Sequence, residues 1–200
     1  MCQPKELGGL GFKDLVKFNE VMLAKQVWRL LHDKNSLFYQ AFKAKYFPFG
    51  TAFDAKKSSE SYAWQSILKA RLVIADGMLW RVGDGSTIRV YWDKWLPGKF
   101  SSRIGSPQLA TPGDAHVSSL IDQDTKTWDC AWIDHLFLPF KVEKVKVIPL
   151  CVTHQADCLI WPRSRDGEYS IKTGYELLCE REQMEKASVL DMANKKLFWK

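Results

Sequence analysis

Apolar positions in the first third of the chain recur at helical spacing. After Asp14, the run LVKFNEVMLAKQVWRLLHD places Leu15, Phe18, Val21, Met22, Val27, Trp28, Leu30 and Leu31 on a wide face. Asp14 stands in N-cap position, so the pattern predicts a helix from there to about His32. Residues 37–47 contain no breaker before Pro48 and predict a second helix behind a Ser36 cap. A third follows Ser61, with Trp64, Ile67, Leu68, Leu72 and Val73 on one face and Gly77 as its stop.

The period then changes from helical to alternating. In MLWRVGDGSTIRVYWDKWLP, parity sets Trp80 and Val82 on one face of a first strand and Ile88, Val90 and Trp92 on one face of a second. Arg81, Arg89 and Tyr91 share the other face. A three-residue loop of Asp84, Gly85 and Ser86 pairs Val82 with Ile88 and keeps both faces intact, whereas a two-residue loop scrambles them. Beyond Pro97 the Gly, Ser and Pro content rises through 101–115, which reads as a linker. Short helices are expected over 129–137 and 142–147. Residues 158–180 read as a strand, an Arg-Asp-Gly turn, a strand and a helix from about Lys172, and 186–200 as a further helix. The expected architecture is α+β and mainly helical, with two small antiparallel β-hairpins, divided as 1–107 (helices plus the basic hairpin) and 108–200 (helix, hairpin, helix).

Composition supports a folded chain: 200 residues, 46% hydrophobic, nine Trp. No apolar run approaches the roughly 20 residues of a membrane span, and MCQPKELGGL lacks a signal-peptide pattern. Five widely spread cysteines suit a reducing, intracellular setting, nuclear or cytoplasmic. Residues 1–107 hold 17 basic and 9 acidic side chains, while 108–200 hold 12 and 14, so the first half is the better match for a polyanion.

Six strings, in order, carry a resemblance over nearly the whole chain: GGLGFKDLVKFNEVMLAKQVWRLL (8–31), KAKYFP (43–48), SYAWQSIL (61–68), WRVGDGSTIRVYWDKWLP (80–97), VSSLID (117–122) and LIWPRSRDGEYSIKTGYELL (159–178). Together they resemble the region downstream of the polymerase core in plant non-LTR (LINE-type) retrotransposon reverse transcriptases. The resemblance implies a parent in which the polymerase precedes this region, a zinc-binding segment follows it and some members carry ribonuclease H. It implies Mg²⁺ for the intact parent polymerase. Polymerisation needs adjacent carboxylates holding two metals about 3.5–4 Å apart. This sequence has no Asp-Asp pair, so no catalytic residue is carried over. The expectation is a non-catalytic connector that touches template RNA or RNA/DNA hybrid and packs against the polymerase and distal domains. The alternatives are a purely structural module and a decayed remnant without activity of its own.

Three sets of side chains invite chemistry. Arg81, Arg89 and Tyr91, with Lys94 and Trp95 beside them, combine guanidinium groups for phosphate with aromatic planes for stacking, against the alternative of a hairpin leaving its Arg face in water. Cys151, His154 and Cys158 offer three ligands at zinc-like spacing, with Cys130 or His135 as a distant fourth, against the alternative of a core-edge loop. Glu176, Glu180, Glu182 and Glu185 crowd one helix beside Arg181 and Lys186 and read as a solvated face, as do Asp122, Asp124, Asp129 and Asp134. His32 falls at a helix C-terminus, which the dipole explains.

Overall fold

In the computed structural model, residues 13–55, 61–98, 103–104, 114–150 and 155–198 are described, with side chains through 188. The described residues form helices α1 (Leu15–His32), α2 (Leu37–Tyr46), α3 (Tyr62–Gly77), α4 (Cys130–Leu136), α5 (Pro139–Lys146) and α6 (Ile171–Phe198). Strands β1 (Leu79–Arg81) and β4 (Cys158–Ile160) make one antiparallel pair, and β2 (Ile121–Asp122) and β3 (Thr127–Trp128) another. The class is α+β and mainly helical. No helix among the described residues is long and apolar enough to cross a membrane.

The chain forms two compact units. The first joins residues 1–77 to 163–200; the second is 78–162. The expected boundary at 107/108 falls inside the second unit. A Pro/Gly-rich stretch there looked like a linker, but the segments on either side of it share one core and hydrogen-bond to each other.

Local signals set the helix starts of the first unit. The Asp14 carboxylate accepts from Val16 N at 2.9 Å and Lys17 N at 3.3 Å, and Ser36 Oγ accepts from Tyr39 N at 3.2 Å. Helix α1 buries Val21, Ala24, Val27, Trp28 and Leu30, and α3 buries Trp64, Ile67, Leu68, Ala70, Val73 and Ile74. Leu15 and Leu72, both expected on buried faces, are exposed. Residues from the far end of the chain complete this core. The Tyr169 hydroxyl donates to Val21 O at 3.0 Å, Trp28 Nε1 donates to Glu168 at 2.8 Å, and Asp14 N donates to the Tyr175 hydroxyl at 2.9 Å. Tyr169 lies against Gly174 of α6, where a Cβ would come within 2.7 Å of Tyr169 Cζ. That contact accounts for a glycine inside a helix. The helix starts one residue before the expected Lys172, behind Ser170, and runs unbroken to Phe198, taking in the described part of the segment read as a further helix.

The second unit departs from the expected pairing. β1 does not fold back on residues 88–92; it pairs with β4, Trp80 opposite Leu159. Residues 88–90 instead meet 115–117, through Val90 N to Ala115 O at 2.8 Å and Val117 N to Ile88 O at 2.9 Å. The second expected hairpin, at 158–171, is also absent, because β4 is consumed by β1. The true hairpin is β2–β3, turned by Lys126 at φ +54°. The core of this unit includes Ile88, Val90, Trp95, Leu96, Leu120 and Ile133, with Trp95 stacked on Trp128 at 6.1 Å.

Candidate nucleic-acid interface

Asp157 organises the loop where the basic hairpin was expected. Its Oδ1 accepts from Gly83 N at 2.8 Å and Gly85 N at 2.9 Å; its Oδ2 accepts from Thr87 N at 2.9 Å and Thr87 Oγ1 at 2.8 Å. Gly85 takes φ +72°, and a Cβ there would sit 2.5 Å from Ser118 N. Four donors converging on one carboxylate make residues 83–87 a wrapped loop, not a tight hairpin turn.

That geometry scatters the five residues expected on one face. Arg81 is exposed at the end of β1. Arg89 is exposed, but Asp93 accepts from its Nη2 at 3.0 Å and from its Nε at 3.2 Å. Tyr91 and Trp95 are buried, at 7% and 1% exposure, and Trp95 Nε1 donates to Val90 O at 3.0 Å. Lys94 is half-buried, and its carbonyl accepts from Trp80 N at 2.7 Å. Parity also fails at Trp92, which is 55% exposed where a buried position was expected. Residues 91–93 are a turn, so alternation does not apply, and neither buried ring offers a face to a base. Beside Arg81 lies a cleft of about 600 Å³, lined mainly by apolar side chains such as Leu79, Trp80, Pro97, Val147 and Leu150.

Of the zinc-like set, Cys151 and His154 fall outside the described residues, and Cys158 lies half-buried in β4. Among the described residues, no group of three or more His, Cys, Asp or Glu could hold a metal. Six of the eight acids singled out in the sequence are engaged in pairs or caps. Glu180 takes both Arg163 guanidinium nitrogens, at 3.1 and 2.7 Å, and Arg181 pairs with Glu185 and Asp76. Hydrogen bonds from Lys17 and Lys186 hold Glu182 down to about 2. Asp122 caps the β2–β3 turn, and the N–H groups of Thr125 and Asp124 lower its pKa. Asp129 caps α4 at Trp132 N, and Asp134 pairs with Lys146 at 2.7 Å. His32 stacks on Trp28 at 4.1 Å.

Charge follows the units, not the halves. Residues 78–162 contain nine basic and nine acidic side chains, while the first unit contains twenty and fourteen. The whole surplus of +6 therefore belongs to the first unit, and the neutral second unit holds all five of the residues expected to bind. Helix α2 reads from its sequence as a plain helix, yet residues 34–53 contain seven aromatic rings, three lysines and no acid.

Among curated proteins, one from Arabidopsis thaliana named "Putative ribonuclease H protein" is 34% identical over 184 residues, which are 89% of this chain and 30% of that protein. The chain matches one segment of a longer plant protein. A second, named "Uncharacterized mitochondrial protein" and also from Arabidopsis thaliana, is 38% identical over 98 residues, 48% of this chain and 64% of the relative. No family model and no solved structure matches.

Proposed function

We propose that this chain is a connector segment of a retroelement RNA-directed DNA polymerase polyprotein, non-catalytic in itself, that contacts template RNA or the nascent RNA/DNA hybrid inside the cell. One observation carries the reading: 184 of its residues match less than a third of a much longer protein named for ribonuclease H. This is the relation a module bears to a multidomain parent, and the six strings quoted above fit the stretch behind a LINE-type polymerase. Mg²⁺ and the carboxylates that hold it would belong to other segments of the parent. The nucleic-acid contact goes to the first unit, which carries the positive surplus.

The test is an anisotropy titration of the whole chain with a labelled 20-nucleotide single-stranded RNA at about 50 and 200 mM salt. Three phosphate contacts give a slope of about −2 in log K against log salt, a loss of roughly twentyfold over that range. Saturable binding with such a slope supports the reading; a folded chain that does not bind refutes the nucleic-acid contact. A purely structural connector is the second reading, favoured by Leu15 and Val16, which stand 80% and 78% exposed at the start of α1.

A further inference from the structure

Helix α2 is the one helix of the first unit's α1–α3 series that buries no residue completely. Its aromatic stripe, Phe38, Phe42 and Tyr46 at four-residue spacing, meets the body through Trp64. Phe42 lies 5.6 Å and Tyr46 4.6 Å from that indole, the latter within 15° of parallel. Phe38 and Phe42 lie 4.5 Å apart along the helix, their rings tilted by 39°. All three rings stay half-exposed, and Phe49, just past Pro48, is 90% exposed. The body thus covers only part of a stripe that an ordinary amphipathic helix would bury.

Cations border these rings. Lys43 lies over Tyr39 at 5.6 Å, Lys45 over Tyr46 at 5.3 Å, and Arg29 of α1 over Phe38 at 5.0 Å. On a helical wheel, Lys43 and Lys45 fall on opposite sides of the stripe. Neither they nor Lys34 makes an ion pair among the described residues, in contrast to Lys17, Lys146, Arg163 and Arg181. Asp33 and Asp54 are the acids that bracket the segment, and the Asp54 carboxylate already accepts from Thr51 N at 3.0 Å and Thr51 Oγ1 at 2.8 Å.

Positive charge without an ion pair among the described residues, on both edges of an aromatic strip, suits a polyanion whose planar groups are free to stack, which a single strand offers and a duplex conceals. We infer that α2 and the loop through Phe49 form a stacking platform for single-stranded RNA. The inference rests on the nucleic-acid reading above and names the site and mode of that contact.

The test repeats the 20-nucleotide RNA titration on the full chain with three variants. Lys43→Glu/Lys45→Glu should weaken binding at least tenfold at about 50 mM salt and reduce the salt slope by about 1.4. Phe49→Ala, at an exposed position that folding does not need, should weaken it about fivefold or more with the slope unchanged. Arg81→Glu, in the neutral unit, should leave affinity within twofold. Circular dichroism confirms that each variant is folded, and Phe38→Leu, which keeps apolar bulk at a half-exposed stripe position but removes the plane, repeats the stacking test within α2. Wild-type binding that these α2 variants leave unchanged overturns the platform and leaves the proposed function standing. Absence of wild-type binding overturns both. Preference for the duplex of the same sequence, or concentration-dependent self-association abolished by Phe49→Ala without RNA binding, makes α2 another kind of surface and overturns the platform.

Discussion

Replacing Asp157 by alanine removes the acceptor for four hydrogen bonds while leaving every donor in place. Two of the donors, Gly83 N and Gly85 N, are partly shielded from water; the two on Thr87 are exposed. An unpaired, partly buried N–H costs about 1–1.5 kcal/mol, and an exposed one a few tenths because water replaces the acceptor. The sum is about 3 kcal/mol, on a unit of 85 residues. At about 4–8 °C per kcal/mol for a domain of that size, melting should fall by roughly 12–24 °C. Asp157→Asn should lose about 1 kcal/mol: its carbonyl still serves Gly83 and Gly85, but its NH₂ meets the Thr87 N–H donor to donor. The assay is a near-ultraviolet circular dichroism melt, with amide exchange at Gly83, Gly85 and Thr87 followed by NMR. An Asp157→Ala protein that melts with wild type, or that keeps these amides protected, would refute the argument that the carboxylate shapes the loop.

Gly174→Ala should destabilise the first unit, although alanine is the better helix former by about 1 kcal/mol, because its methyl group meets the Tyr169 ring; urea unfolding at lower denaturant checks the sign. Burial raises the Tyr169 phenol above its ordinary value of 10.0, so its contribution is complete below pH 10 and is lost as pH climbs beyond that. Tyr169→Phe should flatten the alkaline limb of a stability–pH curve, and an unchanged limb would exclude Tyr169 as its source. Glu182, held at about 2 by Lys17 and Lys186, contributes fully above about 4.5 and loses its contribution as pH falls through 2. A carboxyl ¹³C titration should place its midpoint well below the ordinary carboxylate value of 4.5, and salt should move it upward.

Three helix starts were legible because their causes are local, whereas α5 begins at Pro139, three residues before the expected Val142. Asp14, Ser36 and Asp129 each cap a backbone N–H two or three residues ahead, so a short window of sequence contains the whole signal. Strand pairing was not legible, because β1 and its true partner β4 lie about 80 residues apart while the expected partner, starting at Ile88, lies only about seven residues beyond Arg81. The choice falls to Asp157, whose role in the 83–87 loop no pattern near that loop announces. The same error misplaced the candidate site. Assigning Tyr91 and Trp95 to an open sheet face assumed that alternation continued through 91–95, where the chain turns and drives both rings into the core. The α2 surface was visible as composition but not as exposure, since an aromatic-rich helix ordinarily signals burial.

The first unit is made from the two ends of the chain, and a ribosome delivers those ends far apart in time. At about 5–20 residues per second, residues 78–162 occupy roughly 4–17 s of synthesis. During that interval Trp28 has no Glu168 to accept a hydrogen bond from its indole N–H, and Val21 O has no Tyr169 to donate to it. The inserted unit therefore has its full sequence before the host unit does, and α1 and α3 wait with one side open. A break anywhere within 78–162 would damage two structures at once, the unit that is cut and the one whose halves are parted. Nicking the synthesised chain there and asking whether its two pieces remain associated would measure how firmly α6 holds the ends together.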